Sequence, residues 1–454
     1  MGRVDQFEHT QGLVIYNDYM NTLFGDPRIE KELPLIEGAA SVGADVFCID
    51  AGWYDSTDGG WWDMVGEWQA STNRFGDAGL RGLADTIRAH GMGLGLWLEP
   101  EVIGVKSPLA SMLPDSAFFQ RHGVRVCDSG RYLLDFRSPE AREHVTRTVD
   151  RLIDDFGAVF FKFDYNTIPG VGTDLNAESV GDGLLEHCRA YVDWLDDLRR
   201  RHPDVMIENC GSGAMRADYA QLSRLDLQST SDQCDPLIYA AIAAGAGMTI
   251  LPEQQGNWGY AQQEMDDETA VFTLATGVLG RLYLSGFIDR MTEPRLSLVR
   301  DAIALHRCVL ADQQHMVPFW RPDFPTSTAI GLPSACVMSK RICVTRMCTA
   351  NPLGMSRLPS RTISNLSRKI SPTTSSCGVA AAHVREHAVG CGSNHRTGVP
   401  ESCRTGPCAQ CQTVDYRTHG SGNGSSERRH LQATLRPHLC HSPPRLIGAE
   451  PTNR

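Results

Sequence analysis

The 454-residue chain has no run of eighteen or more apolar residues, which excludes a helical membrane span. Its opening, MGRVDQFEHT, lacks a basic stretch leading into an apolar core, so no secretory signal is read and a soluble, cytoplasmic protein is expected. Excess positive charge is also missing: a net charge of −11 argues against nucleic acid as a partner. No glycine-rich phosphate loop follows the first strand-like segment, which counts against a nucleotide-binding α/β fold.

The most informative scarcity is local. All eight Trp lie at or before Trp320, and beyond residue 330 Tyr416 is the one aromatic. From Gly331 onward, 16 Lys and Arg face 5 Asp and Glu, and nine of the fifteen Cys lie there. Cys408 and Cys411 have zinc-knuckle spacing, but no second pair follows at a matching interval. An odd number of Cys in a chain without an export signal does not fit a disulfide scaffold. With hydrophobic periodicity lost, such a segment buries too little apolar surface to offset its ordering entropy. A change of reading frame near residues 322–335 is the favoured account, and a genuine basic, disordered arm is the alternative. The expected organisation is a lead-in over 1–12, a catalytic unit over 13–322, and a low-order, basic, Cys-rich tail over 323–454.

What the first part does contain is a repeated theme of apolar strand, polar cluster and amphipathic stretch. The strands are read at LVIYND (13–18), VFCIDA (46–51), LGLWLEPE (94–101), VFFKFDYN (159–166), VMIENCG (205–211), LDLQSTSD (225–232), GMTILPEQ (247–254) and LYLSGFID (282–289). Between them, AREHVTRTVDRLIDDFG and VGDGLLEHCRAYVDWLDDLRRRHP keep helical spacing, and the second stops before Pro203. Eight strands alternating with helices predict a parallel (β/α)8 barrel, with an open doubly wound sheet as the alternative. A barrel places its site at the C-terminal strand ends.

Those ends carry Asp18, Asp50, Glu99, Glu101, Lys162, Asp164, Asn166, Glu208, Asn209, Cys210, Ser231, Asp232 and Glu253. The set is rich in carboxylates and poor in histidine, against a His-based metal hydrolase or a Ser-His-Asp enzyme. Mg²⁺ binding by carboxylates stays open. Trp53, Tyr54, Trp61, Trp62, Trp68, Trp97, Trp258 and Tyr260 gather in the same regions, with Trp97 read as core. Aromatic faces with carboxylates suit sugars, and two carboxylates across a ring are the equipment of glycoside hydrolysis. The pair chosen from position is Asp164, ending the fourth strand, and Asp232, ending the sixth. Alternation puts Lys162 on the face of Asp164, where its charge keeps that carboxylate ionised as a nucleophile requires. A buried structural Lys–Asp pair is the competing reading for Lys162 and Asp164, and an N-cap cluster for Asp232.

Taken in order, YNDYMNTLFGDP, FCIDAGWY, GEWQ, GLWLEPE, FFKFDYN, ENCGSG, QSTSDQCD and LPEQQGNWGY resemble glycoside hydrolase family 36, the α-galactosidases or melibiases, over residues 12 to about 310. The resemblance implies a retaining exo-α-galactosidase with Asp164 as nucleophile and Asp232 as general acid/base. It implies that Asp50, Trp68, Arg131, Lys162, Asn166, Cys210 and Gly213 bind the sugar, with neither cofactor nor metal. For Arg131 a surface turn, and for Cys210 a buried small residue, are the competing readings; Trp258 reads as either a cap on the site or loop packing. The substrate implied is a terminal α-galactoside such as melibiose or raffinose, and intact family members are homo-oligomers. An α-N-acetylgalactosaminidase, a galactosyl-transferring relative, and an inactive truncated fragment are the alternatives. Asp50-Ala51 stands where many members have two aspartates, and the β-sandwiches that flank the family's barrel have no counterpart in the quoted motifs.

Overall fold

The computed structural model describes residues 13–54, 60–278, 280–313, 317–320, 333–338 and 341–346. Eight parallel strands close into a barrel in sequence order: β1 (Ile15–Asn17), β2 (Val46–Ile49), β3 (Gly93–Leu98), β4 (Ala158–Phe163), β5 (Met206–Asn209), β6 (Leu227–Ser229), β7 (Gln255–Trp258) and β8 (Arg281–Leu284). β8 pairs with β1, so no edge is left. The expected (β/α)8 barrel is therefore the observed fold.

Each strand leads to a helix: α1 (Ile29–Val42), α2 (Gly79–Ala89), α3 (Pro139–Phe156), α4 (Val180–Arg201), the single turn α5 (Tyr219–Leu222), α6 (Pro236–Ala246), α7 (Asp267–Val278) and α8 (Glu293–Gln313). Local chemistry sets their ends. Ser138 caps α3, with Pro139 in its first turn and Gly157 left-handed beyond its last. Ser179 caps α4, whose last turn carries Arg199, Arg200 and Arg201 where cations favour the helix dipole.

Because helices cover the outside, most strands are buried on both faces, and β2, VFCI, reads as a continuous apolar run. Inside, Ile15, Val46, Cys48, Phe160, Met206, Leu227, Trp258 and Tyr283 form one cluster, a plug below the mouth. Two residues further along the same inward rows come Asn17, Asp50, Lys162, Glu208 and Ser229, all buried. The period of two thus converts apolar strand interiors into a polar floor at the mouth. A second, larger cluster packs the outer strand faces against the helices.

The seventh strand differs from expectation. Residues 247–254 form turns, and the strand is Gln255–Trp258. Its sequence, QGNW, carries little β-propensity; pairing with β6 and β8 places it. After α8, a three-stranded antiparallel sheet runs through Val317–Trp320, Pro333–Met338 and Arg341–Arg346, with Cys336 opposite Cys343. Part of the segment read as low-order therefore pairs into strands. The lead-in over 1–12 and most of 323–454, including Cys408 and Cys411, lie outside the described residues, as does most of the 322–335 stretch of the expected frame change. Among the described residues no helix is long and apolar enough to cross a membrane.

Candidate active site

Asp164 is the first residue past β4, and its N–H donates to Leu98 O at 2.8 Å, continuing the strand by one bond. Its buried carboxylate accepts four hydrogen bonds. Oδ1 takes the Tyr165 N–H at 2.8 Å and the Ser212 N–H at 3.1 Å. Oδ2 takes Asn166 Nδ2 at 2.9 Å and Trp97 Nε1 at 3.1 Å. Burial pushes this carboxyl up, but the Lys162 charge and then these donors outweigh it and hold it below its ordinary range. Asp164 is a fixed, ionised carboxylate.

Lys162 does this differently from the sequence expectation. Its ammonium bonds Asp50 Oδ2 at 2.9 Å, both side chains being 3% exposed, and reaches Asp164 as a nearby charge without bonding it. Asp50 is held further by Asn17 Nδ2 at 2.7 Å and by the Ala51 N–H at 2.8 Å. Burial pulls the Lys162 ammonium down, yet Asp50 first, with Asp164, lifts it well above the ordinary value, so it stays charged.

Asp232 lies in the opposite environment. It follows β6 and opens onto the mouth as an exposed residue, yet the protein around it is dense enough that burial is the largest influence on its carboxyl. Burial, with Asp164 and Asp50 against Lys162, raises it to about 6. No hydrogen bond from the described residues holds its carboxylate. One carboxyl is pinned and ionised, the other unpinned and proton-retaining: the division of labour that acid/base chemistry at a pair of carboxylates needs. Among the described residues no group of three or more His, Cys, Asp or Glu is placed to hold a metal.

A model of the family described as Melibiase matches residues 3–265, more than half of the chain. The chain belongs to the Melibiase family. It is 28% identical over 245 residues to alpha-galactosidase Mel36A of Lactobacillus acidophilus, covering 53% of this chain and 32% of that protein. It is 30% identical over 220 residues to alpha-galactosidase 2 of Pediococcus pentosaceus, covering 48% and 30%. The chain thus spans about a third of the length of these relatives. In fold it matches GH36 alpha-galactosidase AgaA from Geobacillus stearothermophilus, solved in complex with raffinose, at a TM-score of 0.67 and 18% identity, covering 77% of this chain and 49% of that one.

In this Melibiase barrel the other sequence-selected residues fall into three groups. Asn166 and Cys210 sit beside Asp164: Asn166 bonds it directly, and Cys210 donates its N–H to Phe163 O at 2.7 Å. Burial, then Asp164, push the Cys210 thiol well up, so it remains neutral. Arg131 is fully buried, which removes the surface-turn reading. It pairs with Glu99, donates to Trp62 O at 2.8 Å and lies 3.6 Å from the Trp62 ring centre. Its Nη2 is buried and has no hydrogen-bond partner among the described residues. Trp68, expected to wall the sugar, is 1% exposed within a pile formed with Trp53, Tyr54 and Trp97. Its ring centre lies 5.9 Å from that of Trp97. That residue looked like core from sequence, but its indole N–H is on Asp164; alternation within LGLWLEPE was the signal, since it turns Trp97 inward beside Lys162. Trp258 buttresses the partner carboxylate, donating from Nε1 to Ser231 O at 2.9 Å.

Gly213 acts through space alone. At φ +87 it lies so close to the β6 loop that an added Cβ would stand 2.6 Å from Ser231 Cα and 3.1 Å from Asp232 N. Gly213→Ala is therefore expected to displace Asp232 and lower kcat/KM roughly 10²-fold, the effect of misplacing a reacting group by an ångström. Gly211→Ala, whose Cβ meets nothing closer than 3.4 Å, is the control and keeps most activity in the same assay.

Proposed function

We propose that this barrel is a retaining exo-α-galactosidase acting on terminal α-D-galactosides of the melibiose or raffinose type. The observation that carries the reading is the contrast between Asp164, ionised by four donors and the Lys162 charge, and Asp232, raised to about 6 without a hydrogen bond. Asp164 attacks the anomeric carbon while Asp232 passes its proton to the leaving oxygen. Asp232, now a carboxylate, takes a proton from water, which attacks the covalent galactosyl-enzyme and releases the sugar with its configuration retained. Asp50 and Lys162 form the floor for the hydroxyls. The relatives named alpha-galactosidase and the fold neighbour carrying raffinose support the choice of sugar.

The test is hydrolysis of an aryl α-galactoside followed by proton NMR in its first minutes. The expected first product is α-galactose, which then mutarotates. First formation of β-galactose would overturn retention, and no turnover by folded protein would make the chain a non-catalytic barrel. Running the aryl α-N-acetylgalactosaminide in parallel decides between galactose and its 2-acetamido relative.

A further inference from the structure

We propose that Arg216, in the loop after β5, is a positioning residue for the carboxylate pair: its clamp on Glu101 and Tyr165 holds residues 210–216 so that the Ser212 N–H stays on Asp164 and Gly213 stays against Ser231 and Asp232. The proposal rests on the assignment of those two carboxylates as the reacting pair, and it concerns how one loop serves both.

That loop carries strain at its bend. Ser212 and Gly213 are successive residues with left-handed backbone, at φ 45 and φ 87, and for serine that conformation is unfavourable. The two carry the loop's contacts with Asp164 and with the β6 loop. Besides its N–H, Ser212 donates Oγ to Asn166 Oδ1 at 2.5 Å, orienting the amide whose Nδ2 bonds Asp164. Gly213 makes the close approach to the β6 loop.

Arg216 closes the loop from outside. Nη1 donates to Glu101 Oε1 at 2.6 Å, and its guanidinium carbon lies 4.3 Å from the Tyr165 ring centre and 4.9 Å from that of Tyr191. Its own carbonyl accepts Asn209 Nδ2 at 2.8 Å, and the Met215 N–H reaches back to Gly211 O at 3.0 Å. Glu101 is fixed in turn by His187 Nε2 at 2.9 Å, while His187 Nδ1 accepts the Phe136 N–H at 3.0 Å; this selects the tautomer that donates to Glu101. The clamp therefore joins the end of β3, the residue after Asp164 and the 210–216 loop, with no contact to the sugar required.

The decisive measurement is the titration of Asp164 in protein labelled with ¹³C at aspartate carboxyls, its signal assigned by its loss in Asp164→Asn. Lys162, Glu99, Glu208, Cys210, Tyr19 and Asp232 also act on Asp164 or are acted on by it, and Arg216 bonds none of them. Arg216→Met is expected to raise the Asp164 titration by about one unit, since a carboxylate losing a backbone donor is less stabilised in its charged form. The acidic limb of kcat/KM moves to higher pH with it, and kcat falls more than KM rises. Arg216→Lys, which keeps the charge pair with Glu101, restores most of both. Glu101→Gln gives the same shift in smaller measure and is the deciding variant if Arg216→Met does not fold. An unmoved Asp164 titration in a cooperatively melting Arg216→Met protein overturns the proposal. Full turnover by Asp164→Asn or Asp232→Asn would instead overturn the functional reading, whatever Arg216 does to the titration.

Discussion

Asp164→Gly is expected to lower turnover of an aryl α-galactoside on the order of 10⁴-fold or more, the scale seen when a residue central to covalent catalysis is deleted. Sodium azide is then expected to restore it, with β-galactosyl azide as the product. The substitution removes the carboxylate that Trp97, Asn166, Tyr165 and Ser212 hold on one side of the reacting carbon. It leaves a gap bounded by four donors, where a small anion takes the carboxylate's place and attacks from the same face. The acid, Asp232, is untouched and still protonates the leaving group. Product anomer is read by NMR coupling at the anomeric proton. An α-galactosyl azide from this variant would mean that the two carboxylates have been assigned in reverse.

Why four of those features were not all readable in sequence follows from where the donors come from. FFKFD shows period two at a strand end, so Lys162 and Asp164 were legible from one segment. The closed barrel was legible too, because its parallel strands are short apolar runs ending in polar clusters. The donors to Asp164 come from β3, the β4 end and the loop after β5, and two of them are backbone N–H groups that no side-chain pattern advertises. Lys162 bonds Asp50, 112 residues away and two strands round the barrel, whereas alternation within one strand points to Asp164. The seventh strand was displaced by eight residues for a related reason. MTIL is apolar and β-branched and reads as strand, while QGNW takes that place only through its neighbours on both sides. Trp97 reads as core because its neighbours are leucines; it is buried, and its one polar atom has a specific use.

The pH dependence of glycosylation separates the two carboxylates most sharply. The first chemical step needs Asp164 ionised and Asp232 protonated. Asp164 is held below its ordinary range, so activity is lost on its account only as pH falls into strong acid. Asp232 is raised to about 6, so its proton, and kcat/KM with it, is lost as pH rises through that value. The profile of kcat/KM is therefore expected to be a bell with its basic limb near 6. Asp232→Gly should abolish that limb. Its loss on galactosides with poor leaving groups is expected at roughly 10²–10⁴-fold, the usual contribution of a positioned acid. On 2,4-dinitrophenyl α-galactoside, whose phenolate leaves without a proton, the first step should proceed at close to the parent rate. The galactosyl-enzyme then accumulates, because no base activates water, and added azide discharges it from the opposite face as α-galactosyl azide. Rapid-mixing absorbance gives a burst equal to enzyme concentration in the variant and its disappearance with azide. If the basic limb survives in Asp232→Gly, the group responsible for it lies elsewhere, and Glu99, raised to about 7 by burial and Asp164 against Arg131 and Asn166, is the next carboxyl to test.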